Sequence, residues 1–295
     1  MKVILIGSTG QLGRDIISNS PKNIQLIKPK KSELDLSDPE NCYKYIISQK
    51  ANWIINSGAF TNVDEAENNK ELAFKINAYG PQSIANAILK VGGKLLQIST
   101  DYVFSGTQNT PYETNQKVSP NNIYGKSKAI GENLLLQTLS SFNQITILRT
   151  SWLMSPHGKN FATKMLELHS KKENINVVYD QIGSPTMTST LSQTIWGIIK
   201  KNEEYTLQKK SFPKINHFAD NGIASWYDIS VAIGEIGVKL GLIKKAAHVT
   251  PIRSYQYPTP SARPSYSVLE TNETKELLQI NGIYWKDSLE EALKR

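Results

Sequence analysis

The stretch Lys2-Val3-Ile4-Leu5-Ile6-Gly7-Ser8-Thr9-Gly10-Gln11-Leu12-Gly13 stands at the start of the chain and decides its fold. Residues 3–6 form a run of branched apolar side chains, which is typical of a buried strand. Three glycines follow, and apolar residues then recur at helical spacing to about residue 19. This order of strand, glycine turn and helix predicts the first βα unit of an α/β protein.

Each glycine of this turn has a physical use. Gly7 permits the tight turn, Gly10 lets the backbone approach a pyrophosphate, and Gly13 lets the helix pack closely on the strand. The helix N-terminus at Gln11 and Leu12 adds amide donors and the positive end of the helix dipole. A glycine turn alone is weak support, and the spacing is not the Gly-x-Gly-x-x-Gly of most dehydrogenases. Its position between a strand and a helix nevertheless predicts a dinucleotide site.

Strands and helices continue to alternate after this unit. Apolar periodicity predicts helices at 39–50, 71–91 and 122–139, and strands at 24–27, 53–56, 94–99 and 145–149. Such repetition implies a doubly wound parallel sheet of the Rossmann type, with ligands at the carboxyl ends of the strands. We expect residues 1–150 to form a dinucleotide-binding domain. Residues 151–295 are expected to be mainly a smaller substrate-binding domain, with some segments returning to the first.

Four residues that suit proton transfer follow the strand at 94–99. Thr100 and Asp101 come directly after the strand, and Tyr124 and Lys128 lie four positions apart on one face of a predicted helix. A phenol has a pKa of about 10, and a neighbouring ammonium lowers that pKa. Tyr124 is therefore predicted to be a general acid or base, with Thr100 bonded to the same substrate oxygen. Ordinary surface residues are the alternative, because this spacing also arises by chance.

The second strand predicts which dinucleotide is bound. An acidic residue after this strand would select NAD through the free 2′-hydroxyl of its ribose. The chain has Lys28, Lys30 and Lys31 there instead. Since ammonium groups suit a 2′-phosphate, NADPH is the predicted cofactor and NADH the alternative. The alternative interpretation is that these lysines point into solvent and contact no cofactor.

Composition excludes several classes of protein. With 295 residues, 39% hydrophobic and 20% charged, the chain can bury a large core. It has no apolar run of about 18 residues, so no membrane span is expected. Its net charge of +8 is spread in small groups of lysines, so no nucleic-acid partner is expected. The single cysteine, Cys42, fits a reducing cytoplasm, and the four histidines have no spacing that predicts a metal site.

The motifs resemble the extended short-chain dehydrogenases/reductases and, within them, the family of dTDP-4-dehydrorhamnose reductases. The resemblance extends over most of the chain, and its last two blocks are the most discriminating. The matching blocks are 7–13, 35–36, 59–67, 99–104, 124–128, 149–152, 180–186 and the Tyr257-Pro258-Thr259-Pro260-Ser261-Ala262-Arg263-Pro264 loop.

This resemblance implies reduction of the 4-keto group of dTDP-4-dehydro-L-rhamnose, in the synthesis of dTDP-rhamnose for cell-surface polysaccharides. Tyr124 would give a proton to the developing alkoxide, Lys128 would hold the nicotinamide ribose, and Thr100 would share the carbonyl oxygen. The resemblance also implies cofactor contacts and sugar contacts elsewhere, and a homodimer. The implied cofactor residues are Ala59, Phe60, Thr61, Asp35 and Leu36, and the implied substrate residues are Asp101, Val63 and Trp152.

Arg263 is predicted to bind the substrate diphosphate. Pro258, Pro260 and Pro264 stiffen its loop, and a guanidinium can grip a diphosphate through two parallel hydrogen bonds. An arginine packed against the prolines is the alternative.

Other activities stay open at this point. Epimerases of the superfamily keep the same tyrosine and lysine, whereas dehydratases typically have Thr-Asp-Glu where this chain has Thr100-Asp101-Tyr102. A non-catalytic, NADP-binding regulatory subunit also fits, because the beta subunit of methionine adenosyltransferase resembles this reductase family.

Overall fold

The computed structural model describes residues 1–140 and 143–294, and its first half alternates strands and helices as predicted. The predicted second unit ends on Arg295, which lies outside these residues. In chain order the elements are β1 (Lys2–Ile6), α1 (Gln11–Ser18), β2 (Gln25–Ile27), α2 (Pro39–Gln49), β3 (Trp53–Asn56), α3 (Val63–Asn68), α4 (Lys70–Phe74), α5 (Gly80–Val91), β4 (Lys94–Thr100), α6 (Ile123–Thr138) and β5 (Ile145–Thr150).

The second half has shorter strands and two additional helices near its end. In chain order the elements are β6 (Leu153–Met154), α7 (Phe161–Lys171), β7 (Asn174–Val178), β8 (Ile182–Gly183), β9 (Thr186–Met187), α8 (Thr188–Leu207), β10 (Ile215–His217), β11 (Ala224–Ser225), α9 (Trp226–Lys239), β12 (His248–Ile252), β13 (Tyr266–Ser267), α10 (Asn272–Leu278) and α11 (Trp285–Leu293).

Six strands form one parallel sheet in the order β10-β5-β4-β3-β1-β2. Both faces are covered, which explains the unbroken apolar run of β1. Its side chains alternate between the faces: Val3 and Leu5 pack with α1 and α8, while Ile4 and Ile6 pack with α2, α5 and α6. The predicted doubly wound α/β fold is confirmed. The strand order reverses between β1 and β3, where such sheets bind ligands.

The smaller lobe has its own core under α7, α9 and α11. Its strands pair in small sheets, β12 with β7, β6 with β9, and β8 between β11 and β13. β10 belongs to the large sheet and α8 packs on α1 beside it, although both come after residue 150 in the chain. The division of the chain into two domains at residue 150 stays a prediction.

Two features of the large sheet and its covering helices were not predicted. The helical region 71–91 contains a π-helical turn, Lys75–Tyr79, between α4 and α5. β10 has only three residues, too few for a periodic pattern, and it extends the sheet by pairing with β5. Among the residues that the structure describes, no helix is long and apolar enough to cross a membrane.

Candidate active site

A cavity of about 810 Å³ lies at the carboxyl ends of β1, β3, β4 and β5 and is bordered on its other side by the smaller lobe. Most of the residues predicted for the site line this cavity. They are Gly7, Gly10, Gln11, Leu12, Gly13, Ala59, Thr61, Val63, Thr100, Asp101, Tyr124, Lys128 and Trp152.

The glycine turn has the close backbone approach that a dinucleotide site requires. Gly7 has φ +83°, and a Cβ atom on Gly13 would lie 2.2 Å from the carbonyl oxygen of Gly7. None of the described side chains caps α1, whose N-cap residue is Gly10. Gln11, Leu12 and Gly13 of its first turn line the cavity, so the first amides of the helix are available to a diphosphate there. These residues suit a dinucleotide.

The segment 59–61, which follows β3 at the cavity, is held in place by the π-helical turn. Asn77 accepts a hydrogen bond from the Phe60 amide (2.8 Å) and donates to the Phe60 carbonyl oxygen (3.1 Å). It also donates to the Ser127 hydroxyl of α6 at 2.9 Å. π-Helical turns are frequent at functional sites. Here the π-helical turn fixes the segment 59–61 against α6.

Tyr124 is in the first turn of α6, and its ring meets the Tyr102 ring edge-on at a centroid distance of 5.5 Å. Burial raises the pKa of the Tyr124 phenol above its ordinary value, while the Thr100 hydroxyl acts in the opposite direction. The predicted lowering of this pKa by Lys128 is therefore wrong for the site as it stands. The physical reason is that desolvation of the phenolate outweighs the favourable contacts. The phenol is protonated at neutral pH.

Lys128 is one helical turn further along α6 and is almost fully buried. Its Nζ donates a hydrogen bond to the carbonyl oxygen of Ile98 at 2.7 Å. Burial lowers the pKa of Lys128 to about 8, and the Glu132 carboxylate opposes that change. With a pKa of about 8, the charge of Lys128 is sensitive to neighbouring charges near neutral pH.

Thr100 and Asp101 form a connected pair at the end of β4. The Thr100 hydroxyl donates to Asp101 Oδ1 at 2.9 Å and accepts from the Tyr102 amide at 3.2 Å. Burial raises the pKa of Asp101 to about 7, although hydrogen bonds from Thr100 and Ser267 favour its ionised form. Near neutral pH a large share of Asp101 is therefore protonated, and in that form it can donate to Thr100.

Stacked aromatic side chains line the smaller-lobe side of the cavity. The rings of Trp152 and Trp226 are parallel within 8° with centroids 3.8 Å apart, and Phe161 lies 4.5 Å from Trp226. Trp152 has φ +45°, which is unusual for a residue with a side chain. Gly183 makes room for it, since a Cβ there would lie 2.5 Å from the indole. The sequence had indicated only Trp152 of the three.

A segment of the smaller lobe reaches across the cavity to the glycine turn. The Asn160 side chain donates to Gln11 Oε1 at 2.9 Å, and Gln11 Nε2 donates to the Lys159 carbonyl oxygen at 3.3 Å. Asn160 also caps α7 through a reciprocal capping box with Thr163. An Asn directly before an apolar helical pattern is the signal that would have located this helix start.

Four residues predicted for the site do not line the cavity. Phe60 is next to lining residues, and Leu36 packs beneath Gly58 and Gly80. Asp35 accepts from the Ser37 amide and hydroxyl, which contribute to lowering its pKa against the effect of burial. Their roles toward the cofactor stay predictions.

Arg263 is the fourth of these residues, and it makes an ion pair. Its Nη2 lies 2.7 Å from Asp64 Oδ2, and the Ser261 amide donates to the other oxygen of Asp64 at 3.2 Å. The Asn122 side chain holds the same loop through the Ala262 carbonyl oxygen at 3.0 Å. The loop is thus docked on α3 and the start of α6, and the diphosphate role of Arg263 stays a prediction.

Known proteins are similar to this chain in sequence and fold over nearly their whole length. A dTDP-4-dehydrorhamnose reductase of Aggregatibacter actinomycetemcomitans is 34% identical over 98% of this chain and 97% of its own. The crystal structure of such a reductase from Clostridium acetobutylicum has a TM-score of 0.88 at 36% identity, covering 99% of this chain and 98% of its own.

A third relative was solved with a cofactor. The dTDP-4-dehydrorhamnose reductase of Bacillus anthracis, in complex with NADP, has a TM-score of 0.88 at 31% identity, covering 99% of this chain and 98% of its own. The family model described as the RmlD substrate binding domain matches residues 1–295. The chain therefore belongs to the RmlD substrate binding domain family.

Proposed function

We propose that the protein reduces the 4-keto group of dTDP-4-dehydro-L-rhamnose to a hydroxyl, with NADPH as the reductant, in dTDP-rhamnose biosynthesis. One observation carries this proposal: Thr100, Tyr124 and Lys128 line the same cavity as the uncapped glycine turn. The family membership and the reductases of three organisms support the choice of substrate.

The residues of the site suit a proton donation at the keto oxygen. When bound, NADPH supplies the hydride. A protonated phenol at Tyr124 can give its proton to the oxygen as negative charge develops there, because an alkoxide is a stronger base than a phenolate. Thr100 stabilises the same oxygen by a hydrogen bond, and its donor becomes available when Asp101 is protonated and bonds to it. The Lys128 ammonium stabilises the phenolate that remains.

The cofactor choice is supported by positive charge near the end of β2. Lys28 directly follows β2, and Lys28, Lys30 and Lys31 are exposed. Arg14 lines the cavity beside the glycine turn and adds a guanidinium there. We infer that these groups receive the 2′-phosphate of NADPH. Michaelis constants measured for NADPH and NADH test this point, and equal values would contradict it.

The substrate is held, in this proposal, by the remaining predicted residues. Asp101, Val63 and Trp152 border the sugar, and Arg263 meets the diphosphate after leaving its pair with Asp64. The diphosphate carries enough charge to compete for a guanidinium, since charge-assisted pairs of this kind are strong. A cytoplasmic location and a homodimer also belong to the proposal.

The decisive experiment follows NADPH oxidation with dTDP-4-dehydro-L-rhamnose made in situ and identifies the product by mass and NMR. Formation of dTDP-L-rhamnose is the expected result. Turnover of a different keto sugar, or inversion without net NADPH oxidation, would point to another reductase or to an epimerase. NADPH binding without turnover, together with co-purification of a larger enzyme, would favour a regulatory subunit.

A further inference from the structure

A buried group of charged and titratable side chains lies behind the catalytic helix, and we call it the Glu132–Arg149–His217 cluster. Glu132 is on α6, Arg149 on β5 and His217 on β10, and each is at most 4% exposed. Arg149 donates to both carboxylate oxygens of Glu132: Nε lies 3.0 Å from Oε1 and Nη2 lies 2.7 Å from Oε2. The geometry is the bidentate one that makes such pairs specific.

The third member contacts the remaining nitrogen of the guanidinium, Nη1, which also donates to the Thr114 carbonyl oxygen at 3.4 Å. His217 Nδ1 lies 3.1 Å from the Tyr112 carbonyl oxygen, which can only accept, so this nitrogen carries the proton. The other nitrogen, Nε2, then accepts from Arg149 Nη1 at 3.2 Å. Burial, and secondly Arg149, lowers the pKa of His217 to about 3. The cluster therefore contains one negative and one positive charge at neutral pH.

The negative charge of the cluster is one helical turn beyond Lys128. Residues four apart on a helix share a face, and both Lys128 and Glu132 are almost fully buried. Burial of an ammonium favours its neutral form. The Glu132 carboxylate opposes that effect as long as it is ionised, and the Arg149 guanidinium held against it stabilises that charge in a buried position. The ion pair of Glu132 and Arg149 thus favours the charged form of Lys128.

We propose that Glu132 is a positioning residue that keeps Lys128 protonated during the reaction, and that Arg149 keeps the Glu132 carboxyl ionised. The inference rests on the proposed function, because it concerns the role of Lys128 there. Other ionisable groups lie near this part of α6. They are Tyr124 on α6, Asp101 and Tyr102 in the turn after β4, Glu67 on α3, and His217 on β10.

Two substitutions should move the same limb of the pH profile to lower pH. Glu132→Gln keeps the shape and an oxygen acceptor for Arg149 but removes the negative charge. The alkaline limb of kcat/KM, where Lys128 loses its proton, is then expected about one unit lower in pH. Arg149→Met leaves the buried Glu132 carboxyl without its cation, which favours the neutral form of that carboxyl, so the limb is again expected at lower pH. A role in folding alone would lower Tm without moving the limb.

Two controls separate charge from packing. Glu132→Asp keeps the charge, so the limb should stay in place even if Tm falls. Glu203→Gln removes a carboxylate that lies 2.8 Å from Lys94 Nζ, away from the cavity, and it should lower Tm without moving the limb. Unchanged limbs in both Glu132→Gln and Arg149→Met would overturn the inference. If Glu132→Gln does not fold, the downward shift in Arg149→Met decides alone.

A binding measurement keeps this test independent of the substrate. NADPH binding should weaken as the pH rises and Lys128 loses its proton, because Lys128 is a cofactor contact in the proposal. In Glu132→Gln this rise in the Kd of NADPH, followed by titration calorimetry, should begin at a lower pH than in the unaltered protein. If the unaltered protein turns over no keto sugar, the proposed function fails while this binding profile still supports or contradicts the role of Glu132.

Discussion

The two sides of the cavity are built in different ways. The large-sheet side consists of turns that directly follow buried strands, and its polar groups, Thr100 and Lys128 among them, are held by hydrogen bonds to backbone or neighbouring residues. The smaller-lobe side consists of aromatic rings from three separate segments, Trp152, Phe161 and Trp226. The first side is suited to chemistry and to a cofactor common to many enzymes, and the second to a particular ligand shape.

This contrast suggests a division of labour that mutants can test. Changes on the large-sheet side should reduce kcat or cofactor binding, whereas changes on the aromatic side should raise KM for the sugar nucleotide. Each substitution below is paired with a similar one elsewhere in the chain.

The largest effect is expected from Tyr124→Phe. Loss of the proton donor should lower kcat by about 10²–10⁴-fold, while the Kd of NADPH changes little, because the ring and its edge contact with Tyr102 remain. Steady-state rates and fluorescence titration with NADPH provide the two measurements. Tyr205→Phe, in which the ring packs on Phe212, is the matched control. A Tyr124→Phe enzyme that keeps its kcat would rule out the phenol as the donor.

Gly13→Ala should act on the cofactor instead. The new Cβ would lie 2.2 Å from the Gly7 carbonyl oxygen, so the turn has to move away from its present path. We expect the Kd of NADPH to rise by roughly 100-fold, which corresponds to about 2.7 kcal/mol. Gly197→Ala in α8 is the control, because its Cβ would meet only ordinary contacts at 3.6 Å. Equal NADPH affinity in both variants would contradict the role of the turn.

The large-sheet side was predictable because its information is local in sequence. β1, the glycine turn and α1 are consecutive, β3 has the predicted bounds, and Tyr124 and Lys128 share a helix that sequence periodicity located within a residue or two. What local patterns could not predict was the environment. Desolvation depends on everything packed around a side chain, so the direction of the Tyr124 pKa shift was predicted wrongly.

The aromatic side was hard to predict for a physical reason as well. Trp226 begins α9 and is 74 residues beyond Trp152 in the chain, and no periodic pattern connects them. Their stacking depends on Gly183, whose missing side chain leaves room for the indole. β10 and the π-helical turn were missed similarly, since three or five residues are too few for a pattern.

Trp226→Leu is expected to sharpen the comparison with a smaller effect. It removes one ring of the stack and leaves Trp152 free to tilt, so KM for the sugar nucleotide should rise by about 10-fold, or ~1.4 kcal/mol. kcat and the Kd of NADPH should change little. Trp196→Leu serves as the control: its indole donates to the Ile16 carbonyl oxygen under the large sheet, and its loss should lower Tm without affecting KM. A loss of kcat in Trp226→Leu, in addition to the rise in KM, would argue against the division of labour between the two sides of the cavity.

Asp101→Asn should have the smallest effect, and it is a change in stability with pH. Because the folded-state pKa of Asp101 is raised from 3.8 to about 7, the folded protein binds more protons than the unfolded chain between these values. Stability from this group is thus fully present below pH 3.8 and is lost as the pH rises through 7. Asn cannot ionise, yet its side-chain oxygen can still accept from Thr100.

The variant should therefore lose less stability than the unaltered protein between pH 5 and 8. Because Asp101 lines the open cavity, solvent access lowers the cost of its charge, and we expect a difference of about 1 kcal/mol, or roughly 2–4 °C in Tm. Thermal unfolding monitored by circular dichroism at several pH values measures it. Asp228→Asn, at the capping box of α9 on the smaller lobe, is the control and should lower Tm similarly at pH 5 and 8. Parallel pH profiles of Tm for Asp101→Asn and the unaltered protein would mean that the Asp101 carboxyl is ionised at neutral pH, and its protonated form could then not orient Thr100.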